Sequence, residues 1–115
     1  MNDTMFRCYD RMIRCYDRTG KPITSLSAWA EKQEDPDYKI VKQTELDNGK
    51  FVSTVWLGID HQYGDGPPLI FETMVFLSKM DYQDLDMKRY SSEAEAVAGH
   101  KAKCQEWRKS GRKGK

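Results

Sequence analysis

The sequence predicts an α+β fold: an antiparallel β-sheet of about four strands packed against a C-terminal α-helix, with one short additional helix at its edge. Three observations carry this expectation. Asn48-Gly49 lies between two strand-like segments, residues 38–47 and 50–57, where a two-residue type I′ hairpin turn would place it. Residues 50–57 and 69–77 alternate in the manner of strands with two distinct faces. Ser92-Glu-Ala-Glu95 matches a capping box and opens a run of apolar residues at helical spacing.

Taken in order, the chain begins with a tandem repeat, Met5-Phe-Arg-Cys-Tyr-Asp-Arg11 followed by Met12-Ile-Arg-Cys-Tyr-Asp-Arg18. An odd step turns the second copy's strand faces over relative to the first, so the two copies cannot share one role in a continuous strand. The second copy is expected to be the domain's first strand, leading into the turn Arg18-Thr-Gly-Lys-Pro22. Thr24 and Ser25 offer N-cap oxygens to a short helix over residues 26–34, which stops before Asp35-Pro36-Asp37.

In the return strand of the hairpin, Phe51, Ser53, Val55 and Leu57 share one face and Val52, Thr54 and Trp56 the other. Large apolar groups on both faces predict a central strand. Residues 58–68 form a shaped loop in which glycines permit tight reversals and Pro67-Pro68 fixes two φ angles. The next strand sets Leu69, Phe71, Thr73, Val75 and Leu77 against Ile70, Glu72, Met74 and Phe76, with Glu72 the exception on its face. Residues 87–90 are expected to be a short edge strand. The final helix is expected to reach about Lys109, with Val97, His100, Cys104 and Trp107 facing inward.

The chain of 115 residues has the length of one typical domain. It divides into a duplicated leader (residues 1–11), a single α+β domain (12–109) and a basic flexible tail (110–115). Cys8, Cys15 and Cys104 are odd in number and contain no CxxC pair, which fits neither a disulfide framework nor a structural zinc motif. No apolar run approaches the roughly 18 residues that span a bilayer. A cytoplasmic protein without membrane attachment is therefore expected. The chain end bears Arg112, Lys113 and Lys115 in the tail with Lys109 just before it, and a nucleic-acid contact through it is weighed against the commoner role of such ends as solvated termini.

The stretch Val52-Ser-Thr-Val-Trp-Leu-Gly-Ile-Asp-His-Gln-Tyr-Gly-Asp-Gly-Pro-Pro-Leu-Ile-Phe-Glu-Thr-Met-Val-Phe76 resembles a family of small uncharacterised proteins from tailed phages, prophages and some bacteria. Arg89-Tyr-Ser-Ser-Glu-Ala-Glu-Ala-Val-Ala-Gly-His100, Cys15-Tyr-Asp-Arg-Thr-Gly-Lys-Pro-Ile23 and Trp29 extend the likeness over roughly residues 12–107. The resemblance implies a phage or prophage setting. It supplies no catalytic or binding residue, and the first copy of the repeat departs from the family pattern.

The sharpest candidate constellation is Asp60, His61 and Asp65 in the loop, with Glu72 on the following strand and His100 on the last helix. Such groups could hold a divalent cation or share acid–base work. No metal-ligand spacing is evident, although His100 and Cys104 share a helical face, and no catalytic, metal or cofactor assignment is made. Under the plainer reading the aspartates close the loop through backbone hydrogen bonds, His100 packs in the core, and Glu72 pairs with Lys50 or Arg89. Between the two stands a binding loop comprising Asp60, His61, Gln62, Tyr63 and Asp65 with Glu72 and Arg89, where Trp56, Tyr63 and Tyr90 could stack and Arg89 could meet phosphate.

The function expected is that of a non-catalytic phage accessory protein that binds a host protein, inhibition of a bacterial defence system being one concrete form. The alternatives are a protein that binds a nucleotide-like small molecule with the loop at residues 58–68, and a metal-dependent enzyme. Homo-oligomerisation through an exposed sheet edge is a further option.

Overall fold

A computed structural model describes residues 14–60 and 66–113, with residues 109–113 described by their backbone alone. The leader, and with it the first copy of the repeat, lies outside the described residues. The chain enters as a two-stranded antiparallel ladder of β1 (Cys15–Tyr16) and β2 (Pro22–Ile23). The strand predicted for the second copy is thus short, and it pairs in a ladder of its own. Asp17 shapes the connecting turn, its Oδ1 accepting from the backbone N–H of Thr19 at 2.9 Å and of Lys21 at 3.0 Å. Burial pushes the Asp17 carboxyl up, but these bonds and the Thr19 hydroxyl outweigh it and hold the group below its ordinary pKa.

Helix α1 (Leu26–Gln33) begins where Ser25 accepts the Ala28 N–H and ends short of Pro36 as expected. The chain then forms a single helical turn, α2 (Pro36–Lys39), where an extended strand was predicted from residue 38. Asp35 caps this turn by accepting the Asp37 N–H at 3.0 Å. Pro36 occupies the first turn, where its missing N–H would have had no helical partner. Tyr38 is thereby swung off the strand, and its ring meets Trp56 edge to face with centroids 5.0 Å apart.

Strands β3 (Ile40–Glu45), β4 (Phe51–Trp56), β5 (Phe71–Phe76) and β6 (Asp84–Tyr90) form one antiparallel sheet in the order β3-β4-β5-β6, and α3 (Glu93–Lys113) packs on it. The fold class read from the sequence is the observed one. The β3–β4 turn differs in detail. Gly49 has φ of 90° and no non-glycine residue among those described has positive φ, so Asn48 cannot be the first residue of a type I′ pair. Instead Leu46 and Lys50 close a three-residue loop, with Leu46 N–H donating to the Lys50 carbonyl at 2.8 Å and Gly49 N–H to the Leu46 carbonyl at 2.9 Å. The edge strand β6 begins at Asp84, earlier than the predicted residue 87, and α3 runs on to Lys113. Ser92 accepts the Glu95 N–H as a capping box requires, whereas the Glu95 carboxylate reaches the Ser91 N–H, one residue before the cap.

Val52, Thr54 and Trp56 on β4 and Phe71, Thr73 and Val75 on β5 face α3 and are all fully buried. They divide the core into two apolar groups. Trp56, Phe71, Ile70, Tyr90 and Ala96 form one, against which Tyr16, Ile23, Trp29, Tyr38 and Val41 pack. Leu46, Val52, Val75 and Cys104 form the other, flanked by Leu85 and Trp107. The inward stripe of α3 is therefore Ala96, His100, Cys104 and Trp107, and Val97, predicted to face inward, is 47% exposed. Positions three and four residues before His100 both lie near the same helical face, and the smaller Ala96 lets the helix approach Trp56 and Phe71.

Gly99 makes an equally close approach, since a Cβ there would overlap the Tyr90 ring. We predict that Gly99→Ala destabilises the fold by about 1–3 kcal/mol, overpacking outweighing the gain in helix propensity. Tyr90→Phe removes a buried hydroxyl that has no hydrogen-bond partner among the described residues, and it is predicted to stabilise by up to about 1 kcal/mol. Urea unfolding of the two variants checks both signs.

Candidate functional site

The residues singled out in the loop and its neighbours fall into three groups. His61, Gln62, Tyr63 and Asp65 lie outside the described residues. Asp60 stands where the loop leaves the sheet: its backbone N–H donates to the Arg14 carbonyl at 2.8 Å, and its Oδ1 accepts the Leu69 N–H at 3.0 Å. This is the loop-closing role open to an aspartate. Gly58, at φ of 80°, starts the loop by passing against the Trp29 and Trp56 rings, and its carbonyl accepts the Tyr16 N–H at 2.7 Å.

Glu72 and Arg89 face each other across β5 and β6 and form an ion pair, Arg89 Nε donating to Glu72 Oε2 at 3.1 Å. Of the two partners expected for Glu72, Arg89 is the one found. Glu72 lies on the face of the sheet away from α3, because its neighbours Phe71 and Thr73 point toward the helix. His100 lies on the helix side. The sheet separates the two, so they cannot act on one ligand. Trp56 and Tyr90 are not available for stacking, since both are buried, and the Trp56 N–H is taken by the Tyr16 carbonyl at 2.9 Å. Among the described residues no three His, Cys, Asp or Glu side chains group as a metal site would require.

His100 is only 2% exposed and occupies the gap between the two apolar clusters. Its Nε2 is 2.9 Å from the Thr44 hydroxyl and its Nδ1 2.7 Å from that of Thr54, which in turn is 2.5 Å from the Thr73 hydroxyl. A neutral imidazole has one donor and one acceptor nitrogen, and rotating hydroxyls let the chain Thr44–His100–Thr54–Thr73 close with either tautomer. Burial, and then the positive charge of Lys42, hold the imidazole below its ordinary pKa. His100 is therefore a satisfied core histidine rather than a ligand or base.

The two flanks of α3 differ. Toward β6 it is clamped: Lys103 Nζ and Trp107 Nε1 both donate to Asp86 Oδ2, at 2.6 and 2.9 Å. Burial alone would raise the Asp86 pKa, but the bonds from Lys103 and Trp107 hold it below the ordinary carboxylate value. Toward β3 the helix and strand diverge into a groove of ≈ 530 Å³, walled by Ala94, Val97 and Ala98 and bordered by Lys42, Lys101 and Arg108. This groove was not anticipated from the sequence, because its cations come from a strand and a helix far apart along the chain.

No family model matches the chain, and neither a curated protein nor a solved structure matches it. Among the described residues, no helix is long and apolar enough to cross a membrane.

Thr54→Val strands the His100 Nδ1 and the Thr73 hydroxyl, and we predict a loss of about 1–3 kcal/mol in urea unfolding. Because the folded state holds the His100 pKa below the unfolded value near 6.5, the unfolded chain takes up that proton first as pH falls. The contribution of His100 is complete above that value and is lost as pH falls toward the folded pKa. Unfolding midpoints measured from about pH 7.5 to 5 should fall in the parent protein and fall less steeply in His100→Gln.

Proposed function

We propose that this chain is a non-catalytic accessory protein of a phage or prophage that works in the host cytosol by binding a host protein, with inhibition of a bacterial defence system as the concrete form. The observation that carries the binding reading is the sheet face turned away from α3. Phe51, Val55, Met74, Phe76 and Met87 share it by register, and the described helices pack on the opposite side. The β5–β6 connection extends the same apolar surface, with Tyr82 70% exposed beside the Phe76 ring and Met80 94% exposed. Apolar surface gathered on one face of a small protein is characteristic of a contact with another macromolecule.

The titratable groups support a binding role over a catalytic one, because His100, Asp86, Glu72 and Asp60 are each engaged in bonds that hold the fold together. The phage-like sequence motif is what points to a host protein as the partner.

An affinity pull-down of the tagged protein from host lysate, treated with nuclease, is expected to retain one dominant protein. The pair Met80→Asp and Tyr82→Ser alters only exposed side chains and should abolish that capture without lowering the melting temperature. Capture that vanishes with nuclease, or that is indifferent to the pair, would contradict the proposal.

A further inference from the structure

On the helix side of the sheet, away from the apolar face just described, the groove between β3 and α3 combines two features of a peptide site. The first is an open row of backbone hydrogen-bonding groups. Strand β3 is at the end of the sheet order and pairs only with β4 among the described residues. Since Leu46 N–H bonds to the Lys50 carbonyl, alternation along the ladder makes Thr44↔Val52 and Lys42↔Thr54 the hydrogen-bonded pairs. Gln43 and Glu45 consequently turn their N–H and C=O outward, along the rim of the groove.

The second feature is charge. Lys42, Lys101 and Arg108 border the groove, no carboxylate lines it, and among the described residues these three cations make no ion pair. Arg18, Arg89 and Lys103 are all paired with carboxylates elsewhere on the same domain. The unpaired cations surround a floor of alanine and valine whose Val97 is left half-exposed.

We infer that this groove takes an extended acidic segment of a protein partner, which adds as a strand to the open edge of β3 and sets alternate carboxylates against Lys42, Lys101 and Arg108. Strand addition supplies main-chain hydrogen bonds, while the groove reads every second side chain. A nucleic acid would find cations but no stacking platform, since no Phe, Tyr or Trp lines the groove and its one imidazole, His100, is buried and bonded through both ring nitrogens. The inference rests on the protein-binding reading only in taking the partner to be a protein; it uses a different face and does not need the apolar surface.

The test uses the full chain and a fluorescent peptide of alternating glutamate and valine, long enough to run the length of β3. Anisotropy should show binding that weakens with added salt and is at least about tenfold tighter than for the alternating lysine–valine peptide. In the peptide-bound protein, amide exchange should slow at Gln43 and Glu45 and stay unchanged at Lys42 and Thr44. The combined variant Lys42→Glu, Lys101→Glu and Arg108→Glu should lose binding by at least about tenfold, and the exchange measurement on the parent protein stands independently of how that variant folds. Equal affinity for the two peptides, binding without protection of Gln43 and Glu45, or displacement by oligothymidylate would overturn the inference. Failure here leaves the pull-down result intact, and failure of the pull-down leaves this assay interpretable.

Discussion

The seating of α3 on β4 and β5 is governed by a polar chain placed in the middle of the core. Thr54 and Thr73 lie side by side in the sheet between the rows Val52–Val75 and Trp56–Phe71, and His100 meets them from the helix while reaching Thr44 on the edge strand. Apolar burial is non-directional, so it fixes the position of the helix along the sheet less sharply than hydrogen bonds with defined partners do. The chain of hydroxyls and imidazole tolerates no shift. A slide by one turn would carry His100 away from all three threonines, at about 1–3 kcal/mol for each buried polar group left unpaired.

Once that position is fixed, the two flanks of the helix acquire opposite characters. The β6 flank is closed by Asp86 with Lys103 and Trp107. At the start of the helix, Arg18 grips Glu93 through two hydrogen bonds and the Tyr38 carbonyl through a third, tying the β1–β2 ladder to α2 and α3 together. On the β3 flank Thr44 tethers His100 near the middle of the helix, and the surface above it stays cationic and concave. The open edge of β3 carries partial protection against indiscriminate pairing, in Lys42 and in the irregularity between Ile40 and Lys42. Those devices favour a selective, charge-matched strand over aggregation.

The strands and the long helix were legible because their periodicities are strong: β4 and β5 alternate cleanly, and the Ser92 cap with His100, Cys104 and Trp107 at helical spacing marks one helical face, although its first member is Ala96 and not Val97. The Asn48-Gly49 turn was placed correctly but typed wrongly, because a three-residue loop uses the same glycine and is told apart only by whether Leu46 or Asp47 begins it. Tyr38 was drawn into a strand by its side chain, whereas Asp35 and Pro36 fixed a helical turn there through backbone chemistry. In the site, the Glu72–Arg89 pair could be foreseen from an acidic exception on an apolar strand face. The hydroxyls of Thr54 and Thr73 carried a comparable signal, polar atoms on the buried face opposite a helical histidine, but their pairing depends on register across the sheet, which no local pattern encodes. The basic groove is less legible still, since Lys42 is brought to Lys101 and Arg108 only by the packing of β3 against α3.

The measurement that most directly tests this account is the nitrogen chemical shifts of the His100 ring followed through a pH titration by NMR. A ring buried among the three threonines should stay neutral to lower pH than an exposed histidine does, with both nitrogens shifted as hydrogen bonding requires. A ring that titrates as a free histidine, or whose nitrogens show no hydrogen bonding, would contradict the polar chain on which the position of α3 depends.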